Sequence, residues 1–275
     1  PIVVTRTYVV TDACGNSTTK AQIINVNDTT APGITGSIAT TTIEGCAANA
    51  VAAAVTTVSA LEGLGLTISF ACCSGDHRVV QSSHARCATC PIVVTRTYVV
   101  TDACGNSTTK TQIINVNDTT APAITGTISA TTVEGCTAGN ATAPVSTIAA
   151  LEGLGLSISD ACTSDANLVV TSSDASTGTC PIVVTRTYVV SDACGNSTTK
   201  TQDINVDDST SPAIAGIIPT TTVEGCVPGD ATAAVTTVAA LEVLGLAISD
   251  ACTSDANLVV TSSDASSGTC PIVVT

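Results

Sequence analysis

Alternating apolar and polar residues recur along the chain and predict short β-strands joined by tight turns. Residues 182–192 (IVVTRTYVVSD) are rich in β-branched side chains, residues 193–196 (ACGN) supply turn chemistry, and residues 198–206 resume a strand-like stretch. This pattern predicts a long β-hairpin. A helical pattern is confined to residues 147–152 and ends at Gly153.

One face of this hairpin is predicted to be exposed and the other to be buried. One position holds Ile113 in one copy of the pattern and Asp203 in the next, so it lies on an exposed face and leaves Ile204 and Val206 on the buried face. Such alternation is typical of a half-buried antiparallel strand. Further strands are predicted at residues 123–133, 156–159 and 168–172.

The chain repeats itself every 90 residues, because PIVVTRTYVV begins at positions 1, 91 and 181 and PIVVT returns at 271. Short strands, hairpins and almost no helix favour an all-β fold of tandem immunoglobulin-like β-sandwich domains, about 90 residues each, disulfide-stapled and with one short helix per repeat. We predict a hairpin of a preceding or strand-donated repeat at residues 1–31, repeats at 32–121 and 122–211, and an incomplete repeat at 212–275.

The acidic composition argues against two classes of binding partner, nucleic acids and anionic membranes. Lys and Arg total 8 against 22 Asp and Glu, which gives a net charge of -14. Binding to nucleic acid or to an anionic membrane requires clustered basic residues, and here they are scattered, so we expect neither partner. Since no apolar run reaches the roughly 18 to 20 residues that cross a bilayer, we also expect no membrane insertion.

The cysteines form a periodic framework, which indicates an oxidising, extracellular setting. Of the 14 cysteines, 12 fall into four classes spaced by the repeat, while Cys73 and Cys87 occur only once. In an antiparallel sandwich two classes lie at one end of a domain and two at the other, so we expect each end to form its own bond. The predicted pairs are Cys46 with Cys90, Cys136 with Cys180, Cys226 with Cys270, Cys72 with Cys104, Cys162 with Cys194, and Cys73 with Cys87.

This pairing leaves Cys14 and Cys252 without partners inside the chain. One interpretation is that the chain is a window on a longer continuous polypeptide, in which both find partners outside the window. The other is that the leading hairpin of one molecule completes the last domain of the next and is linked to it through these two cysteines. Both interpretations predict a linear array of neighbouring repeats or copies of the chain.

The segment CPIVVTRTYVVTDACGNSTTK, followed by INVNDTTAP, resembles a known class of repeats. It is similar to the HYR-like and immunoglobulin-like repeats of giant secreted surface adhesins of Bacteroidota, including those associated with gliding motility. The most specific parts of the resemblance are the TYVxxDACGN hairpin and the NDTTAP linker. The resemblance implies a β-sandwich that serves as a stalk or adhesin module on the cell surface.

Two groups of residues are candidate metal ligands. Cys73, His77, His84 and Cys87 have a spacing that could bind zinc, and the alternative is an extra disulfide with two exposed histidines. Carboxylates near the linkers could bind calcium, with solvated turns as the alternative, and an aspartate of the 102 type or Glu134 would have to complete the site. The calcium candidates are Asp28, Asp118, Asp207 and Asp208.

Several residues are candidate glycan acceptors. Asp-Thr and Asp-Ser sequences resemble short O-glycan acceptor sites of Bacteroidota, and Asn-Ser-Thr sequons follow the hairpin turns. An unmodified surface is the alternative, because such sequences arise easily in a chain rich in threonine. The candidates are Thr29, Thr119, Ser209, Asn16, Asn106 and Asn196.

No constellation of catalytic residues is evident, so we expect a protein that is not an enzyme and needs no cofactor beyond the candidate calcium. Asp102 and its copies are expected to shape the ACGN turn. The predicted function is a structural repeat of an extracellular filament or adhesin stalk that provides length, stiffness and protease resistance at the cell surface. The alternative is an adhesin module that binds a glycan or a host protein through its loops.

Overall fold

The computed structural model describes residues 2–71, 79–86, 90–268 and 273–274. β-Strands dominate the described part of the chain, and its three α-helices are short. The predicted all-β, sandwich-type fold with one short helix in each repeat is therefore confirmed. The strands form four-stranded and two-stranded sheets, and three disulfides cross-link the described residues.

The first and second repeats contain the same succession of strands and one α-helix. The leading hairpin consists of β1 (Ile2–Thr11) and β2 (Ser17–Val26). The first repeat contains β3 (Gly33–Gly36), β4 (Thr41–Glu44), α1 (Val58–Glu62), β5 (Leu66–Ser69), β6 (Val79–Arg86), β7 (Ile92–Thr101) and β8 (Ser107–Asn117). The second contains β9 (Ala123–Gly126), β10 (Thr131–Glu134), α2 (Ile148–Gly153), β11 (Leu156–Ser159), β12 (Val169–Thr177), β13 (Ile182–Ser191) and β14 (Ser197–Asp207). The third contains β15 (Ala213–Gly216), α3 (Val238–Val243), β16 (Leu246–Ser249), β17 (Ser266–Ser267) and β18 (Val273–Val274).

The larger sheet of the first repeat determines which strand ends lie side by side. Its strand order is β4-β8-β7-β6, and β3 pairs with β5 in a separate sheet. Strand β4 runs parallel to β8, with Thr41 opposite Ile114 and Glu44 opposite Asn117, whereas β7 is antiparallel to both neighbours. The ends of β4 and β8 therefore lie beside the start of β7. The second repeat has the same order, β10-β14-β13-β12.

The core of the first repeat lies between its hairpin and the short helix. Tyr98 and Val100 of β7 are fully buried against Leu61 of α1 and Leu66 of β5. Helix α1 begins at a defined residue, because Thr57 Oγ1 accepts a hydrogen bond from Ala60 N at 3.2 Å. The alternation along β7 buries one face on this cluster and leaves the other half exposed.

The predicted elements agree with the structure, with one difference. The hairpin of β13 and β14 and helix α2 are confirmed, and Ile204 and Val206 are buried while Asp203 is exposed. The single strand predicted over residues 123–133 is instead two strands, β9 and β10. The chain turns at Gly126, which has φ +89° and can leave the extended conformation because it lacks a Cβ.

The described chain forms two compact units. Unit 1 consists of residues 1–123, 158–169 and 190–198, and unit 2 consists of residues 124–157, 170–189 and 199–275. Each unit has buried apolar clusters of its own, such as Val94, Ile114 and Val116 in unit 1 and Val184, Ile204 and Val206 in unit 2. The predicted boundaries at 32–121, 122–211 and 212–275 stay a prediction.

Candidate functional site at the junction of successive repeats

The site lies in unit 1, where the first repeat meets the turns of the second. In each repeat, the exit end is the end at which β4 and β8, or their counterparts, finish and β7 begins. The turn end is the opposite end, which carries the turn between β7 and β8. The exit end is closed by a hydrogen bond of 3.1 Å from Gly45 N to Asn117 O. Residues just beyond β4 and just before β7 therefore lie together at the exit end.

Two disulfides join the exit end of the first repeat to the turn end of the second. Cys46 is bonded to Cys162, with a Cα–Cα distance of 4.7 Å, and Cys90 is bonded to Cys194, with a Cα–Cα distance of 5.2 Å. In unit 2, Cys136 is bonded to Cys252 across the same sequence separation, 116 residues, as the first bond. The disulfides therefore link successive repeats.

The predicted pairs Cys46 with Cys90, Cys136 with Cys180, and Cys162 with Cys194 are therefore wrong. Each of these cysteines lies at the predicted end of its domain, and the error is the choice of partner. Because β8 leads directly into the next repeat, the exit end of one repeat meets the turn end of the following one. Bonds form across that meeting point and do not close a single domain.

The prediction that Cys252 bonds outside the chain is also wrong, since its partner is Cys136. Cys14 is free and exposed, and its bonding outside the chain stays a prediction. Among the described residues, Cys104, Cys180 and Cys226 are free and exposed as well, so the structure gives no partner for these three predicted disulfide residues. The other predicted disulfide residues, Cys72, Cys73, Cys87 and Cys270, lie outside the described residues.

The ACGN turn at the turn end is shaped by Asp192. Asp192 Oδ1 accepts hydrogen bonds from Cys194 N at 2.8 Å and Asn196 N at 2.9 Å, and Oδ2 accepts from Asn196 Nδ2 at 2.8 Å. Asp102 makes the same contacts in the first repeat, and the hydrogen bonds from Asn106 and from backbone amides lower its pKa. The expected turn-shaping role of these aspartates is confirmed.

The second repeat also binds the linker that precedes it. Asn196 Nδ2 donates a further hydrogen bond of 2.9 Å to Asp118 O, and Asn106 Nδ2 makes the matching bond of 3.1 Å to Asp28 O. The turn and the linker are thereby fixed to each other beside the disulfides. The repetition of this contact shows that it belongs to the repeat pattern.

Three carboxylates converge at this junction. One oxygen from each of Asp118, Asp160 and Asp192 lies within 4.8 Å of the others. Asp118 is only 3% exposed, and burial raises its pKa, with further contributions from the negative charges of Asp160, Asp192 and Glu44. The three carboxylates therefore include Asp118, a predicted calcium ligand, and Asp192, the counterpart of Asp102.

Asp160 was missed by the sequence analysis. It precedes Ala161 and Cys162, so the sequence DAC occurs here and again at residues 192–194. In both places the aspartate Oδ1 accepts a hydrogen bond from the cysteine N, at 2.9 Å for Asp160 and 2.8 Å for Asp192. The repeated tripeptide was the signal that could have found it.

The other calcium candidates are not part of such a group in the described part of the chain. Asp208 Oδ1 caps the linker by accepting a hydrogen bond from Thr210 N at 3.1 Å, and Asp28 Oδ1 does the same for Thr30 N at 2.9 Å. Glu134 does not contribute to a metal group either. It accepts hydrogen bonds from Ser209, which lower its pKa.

The glycan candidates differ in their contacts. Thr119 Oγ1 donates to Glu44 Oε2, and Ser209 Oγ donates to Glu134 Oε2, each at 2.6 Å, so a glycan there would displace a hydrogen bond. Thr29 is exposed. The amide nitrogens of Asn106 and Asn196 each bind two acceptors, whereas that of Asn16 binds Asp12 Oδ2 at 2.9 Å. Glycosylation of all six stays a prediction.

Of the four zinc candidates, the structure describes only His84. Its Nε2 accepts a hydrogen bond from Arg96 Nε at 2.8 Å, so this nitrogen is engaged by the protein. In the second repeat the corresponding pair is Asp174 and Arg186, joined by two contacts of 2.8 Å. His84 thus occupies the place of an ion-pair partner.

Replacing His84 by aspartate is expected to stabilise the first repeat by roughly 1 kcal/mol, because it gives the 5% exposed Arg96 a charged partner. Hydrogen bonds from Arg186 lower the pKa of Asp174, so the contribution of that pair is complete above about pH 4 and is lost as the pH falls through the lowered pKa. Urea unfolding of the His84→Asp variant at several pH values should show that its added stability is also lost as the pH falls. An Asp174→His variant, which should destabilise the second repeat, is the matched control, and an unchanged midpoint for both variants would contradict the assignment.

Comparison with models of known protein families and with curated proteins finds no match for this chain. In the part of the chain that the structure describes, no helix has the length and apolar character needed to span a membrane.

Proposed function

We propose that this chain is a structural repeat of an extracellular filament or adhesin stalk, whose role is to provide length, stiffness and protease resistance at the cell surface. The observation that carries the proposal is the bonding of each repeat to the next: Cys46 with Cys162, Cys90 with Cys194, and Cys136 with Cys252. Such disulfides persist in oxidising compartments, which supports an extracellular location. Bonds between repeats serve an array, whereas a single functional domain does not require them.

The mechanical consequence follows from the covalent path. A pulling force on the two ends is transmitted from Cys46 to Cys162, back along the chain to Cys136, and across to Cys252. This path stretches to roughly 350 Å, compared with roughly 1,000 Å for the fully reduced chain. Unfolded repeats would therefore remain tethered, and most of the chain would carry no load.

The proposed partners are neighbouring repeats or copies of the same chain. By their positions in the repeat, Cys180 and Cys226 belong to the exit-end classes, and Cys14 and Cys104 belong to a turn-end class. The free cysteines are thus complementary, and continuing the observed pattern pairs Cys180 with a 14-type cysteine of a following repeat. Exchange with a small-molecule disulfide would form the bond: two protein thiols lose two protons and two electrons, and the small disulfide is reduced to two thiols.

The leading hairpin supports the same partners. Tyr8 and Val10 are 49% and 71% exposed, whereas their counterparts Tyr98 and Val100 are fully buried beneath α1 and β5. Residues 1–25 and 91–115 differ at a single position, so the two hairpins need the same apolar cover. A neighbouring repeat with the elements of residues 33–71 would provide it.

Immunogold electron microscopy on intact, unpermeabilised source cells tests the proposal, with antibodies raised against the full chain. Gold particles are expected in rows along surface filaments, and peptide mapping of the labelled material without reduction is expected to find Cys180 linked to a 14-type cysteine. Labelling that requires permeabilisation would overturn the proposal. Saturable binding of the chain on a glycan array would instead favour the alternative of a ligand-binding adhesin module.

A further inference from the structure

The side chain of Asp118 is buried without a complete set of partners. Its Oδ1 accepts a hydrogen bond from Thr120 N at 3.0 Å, but Oδ2 is inaccessible to solvent and has no hydrogen-bond partner among the described residues. A buried carboxylate oxygen without a donor or a cation is strongly unfavourable. Such an atom in a native fold requires an ion or an ordered water beside it.

The described residues place no positive charge beside these carboxylates. Within the described residues the only ion pair joins Arg186 to Asp174, so no lysine or arginine contacts the carboxylates of Asp118, Asp160 or Asp192. Instead, the like charges of Asp160, Asp192 and Glu44 add to burial in raising the pKa of Asp118. A bound cation would remove both penalties, the desolvation of Asp118 and the repulsion between carboxylates.

The spacing of the oxygens fits calcium. Oxygens bound to one Ca²⁺ at about 2.3 to 2.6 Å can be at most about 5 Å apart, and Ca²⁺ accepts irregular oxygen geometry whereas Mg²⁺ requires a near-ideal octahedron. The three carboxylate oxygens lie within 4.8 Å of one another, which meets the calcium limit. Carboxylates are ligands that Ca²⁺ prefers, and water completes its coordination of 6 to 8 oxygens.

The ligands are also held in place. Asp160 Oδ1 is fixed by Cys162 N and Thr163 N, at 2.9 and 2.6 Å, and Asp192 by its contacts in the ACGN turn. Both cysteines that follow these aspartates are bonded to the first repeat, Cys162 to Cys46 and Cys194 to Cys90. The disulfides therefore hold two ligands of the second repeat against Asp118, which belongs to the linker.

We infer that Asp118, Asp160 and Asp192 bind a calcium ion at the junction of the two repeats. The ion joins the linker to two turns of the following repeat, beside the pair of disulfides. This chain contains one complete set of ligands. In the first repeat the counterpart of Asp160 is Phe70, which leaves Asp28 and Asp102 as a pair, and in the third repeat the counterparts Asp208 and Asp250 have no third partner within the 275 residues.

Isothermal titration calorimetry of the full, oxidised chain with CaCl₂ tests the site. We expect one Ca²⁺ per chain, and we expect Asp118→Asn to weaken binding at least about tenfold, because it removes a charged ligand. The matched control is Asp28→Asn, which makes the same substitution in the pair that has Phe70 at the position equivalent to Asp160, and it should leave affinity and stoichiometry unchanged. Binding that Asp118→Asn leaves intact, or that Asp28→Asn weakens equally, would overturn the inference, as would equal affinity for Mg²⁺.

Thermal unfolding separates loss of the ligand from loss of the fold. Without calcium, the Asp118→Asn variant should be at least as stable as the unmodified chain, because an amide is less costly to bury than an unpaired carboxylate. Saturating Ca²⁺ should raise the melting temperature of the unmodified chain more than that of the variant, because stabilisation by a ligand falls as its affinity falls. An equal rise in both would show that calcium acts elsewhere and would contradict the site.

Discussion

Replacing Cys46 and Cys162 together by serine is expected to lower the free energy of unfolding by about 3 to 5 kcal/mol. This bond closes a loop of 116 residues, and a cross-link over such a length removes conformational entropy from the unfolded chain. The loss should be largest in unit 1, which contains both cysteines. Hydrogen exchange read by mass spectrometry, with peptides assigned to the first repeat, measures the loss without assuming that the whole chain unfolds in one step.

The chain provides a control for the loss of thiols alone. Cys104 and Cys226 are free and exposed, so replacing this pair by serine removes two cysteines and no disulfide of the described chain. Its protection from exchange should match that of the unmodified chain. Equal destabilisation of the two double variants would show that the bond between Cys46 and Cys162 adds nothing beyond its side chains. Reduction of the unmodified chain should reproduce the loss and should have a smaller effect on the variant without this bond.

The sequence predicts the strands well because their pattern is local. Alternation along residues 182–192 and 198–206 identifies the hairpin, and the exchange of Ile113 for Asp203 identifies its exposed face. Gly126 is harder to interpret from sequence, because only its positive φ in the folded chain shows that it divides one expected strand into β9 and β10. Local patterns therefore predict most of the strands, but they predict less well the positions at which a strand is interrupted.

The disulfide partners could not be predicted from the same information. The sequence places Cys46 and Cys90 at one end of a repeat and Cys162 and Cys194 at the opposite end of the next, but in a near-exact repeat each class offers several equivalent partners. Only the parallel pairing of β4 with β8 brings Cys46 to the end where the chain enters the following repeat. The same reasoning applies to Asp118, whose closeness to Asp160 and Asp192 depends on contacts between repeats.

Replacing Gly36 by alanine is expected to destabilise the first repeat by at least about 2 kcal/mol. Gly36 ends β3 with φ +88°, a conformation that side chains with a Cβ rarely adopt, and an added Cβ would lie 2.5 Å from Gly65 O. That oxygen belongs to the backbone and cannot move aside like a flexible side chain. Since Gly36 pairs with Leu66 of β5, the clash would separate the small sheet that carries Leu66 into the core. Urea unfolding monitored by hydrogen exchange in residues 33–69 should locate the loss in this sheet.

The control comes from the third repeat, where LEGLGL is replaced by LEVLGL. Val243 stands in place of Gly63 and is 86% exposed, and Gly63 itself has a helical φ of -60°. A Gly63→Val variant should therefore change stability by less than about 1 kcal/mol, since valine only lowers helix propensity at an exposed helix end. If Gly63→Val destabilised the first repeat as much as Gly36→Ala, the loss of any glycine would be equally costly. The close approach of two backbone segments would then not explain the effect of Gly36→Ala. The expected contrast would instead explain why one glycine of LEGLGL varies while Gly36 and Gly65 have counterparts in every repeat, at Gly126 and Gly155 and at Gly216 and Gly245.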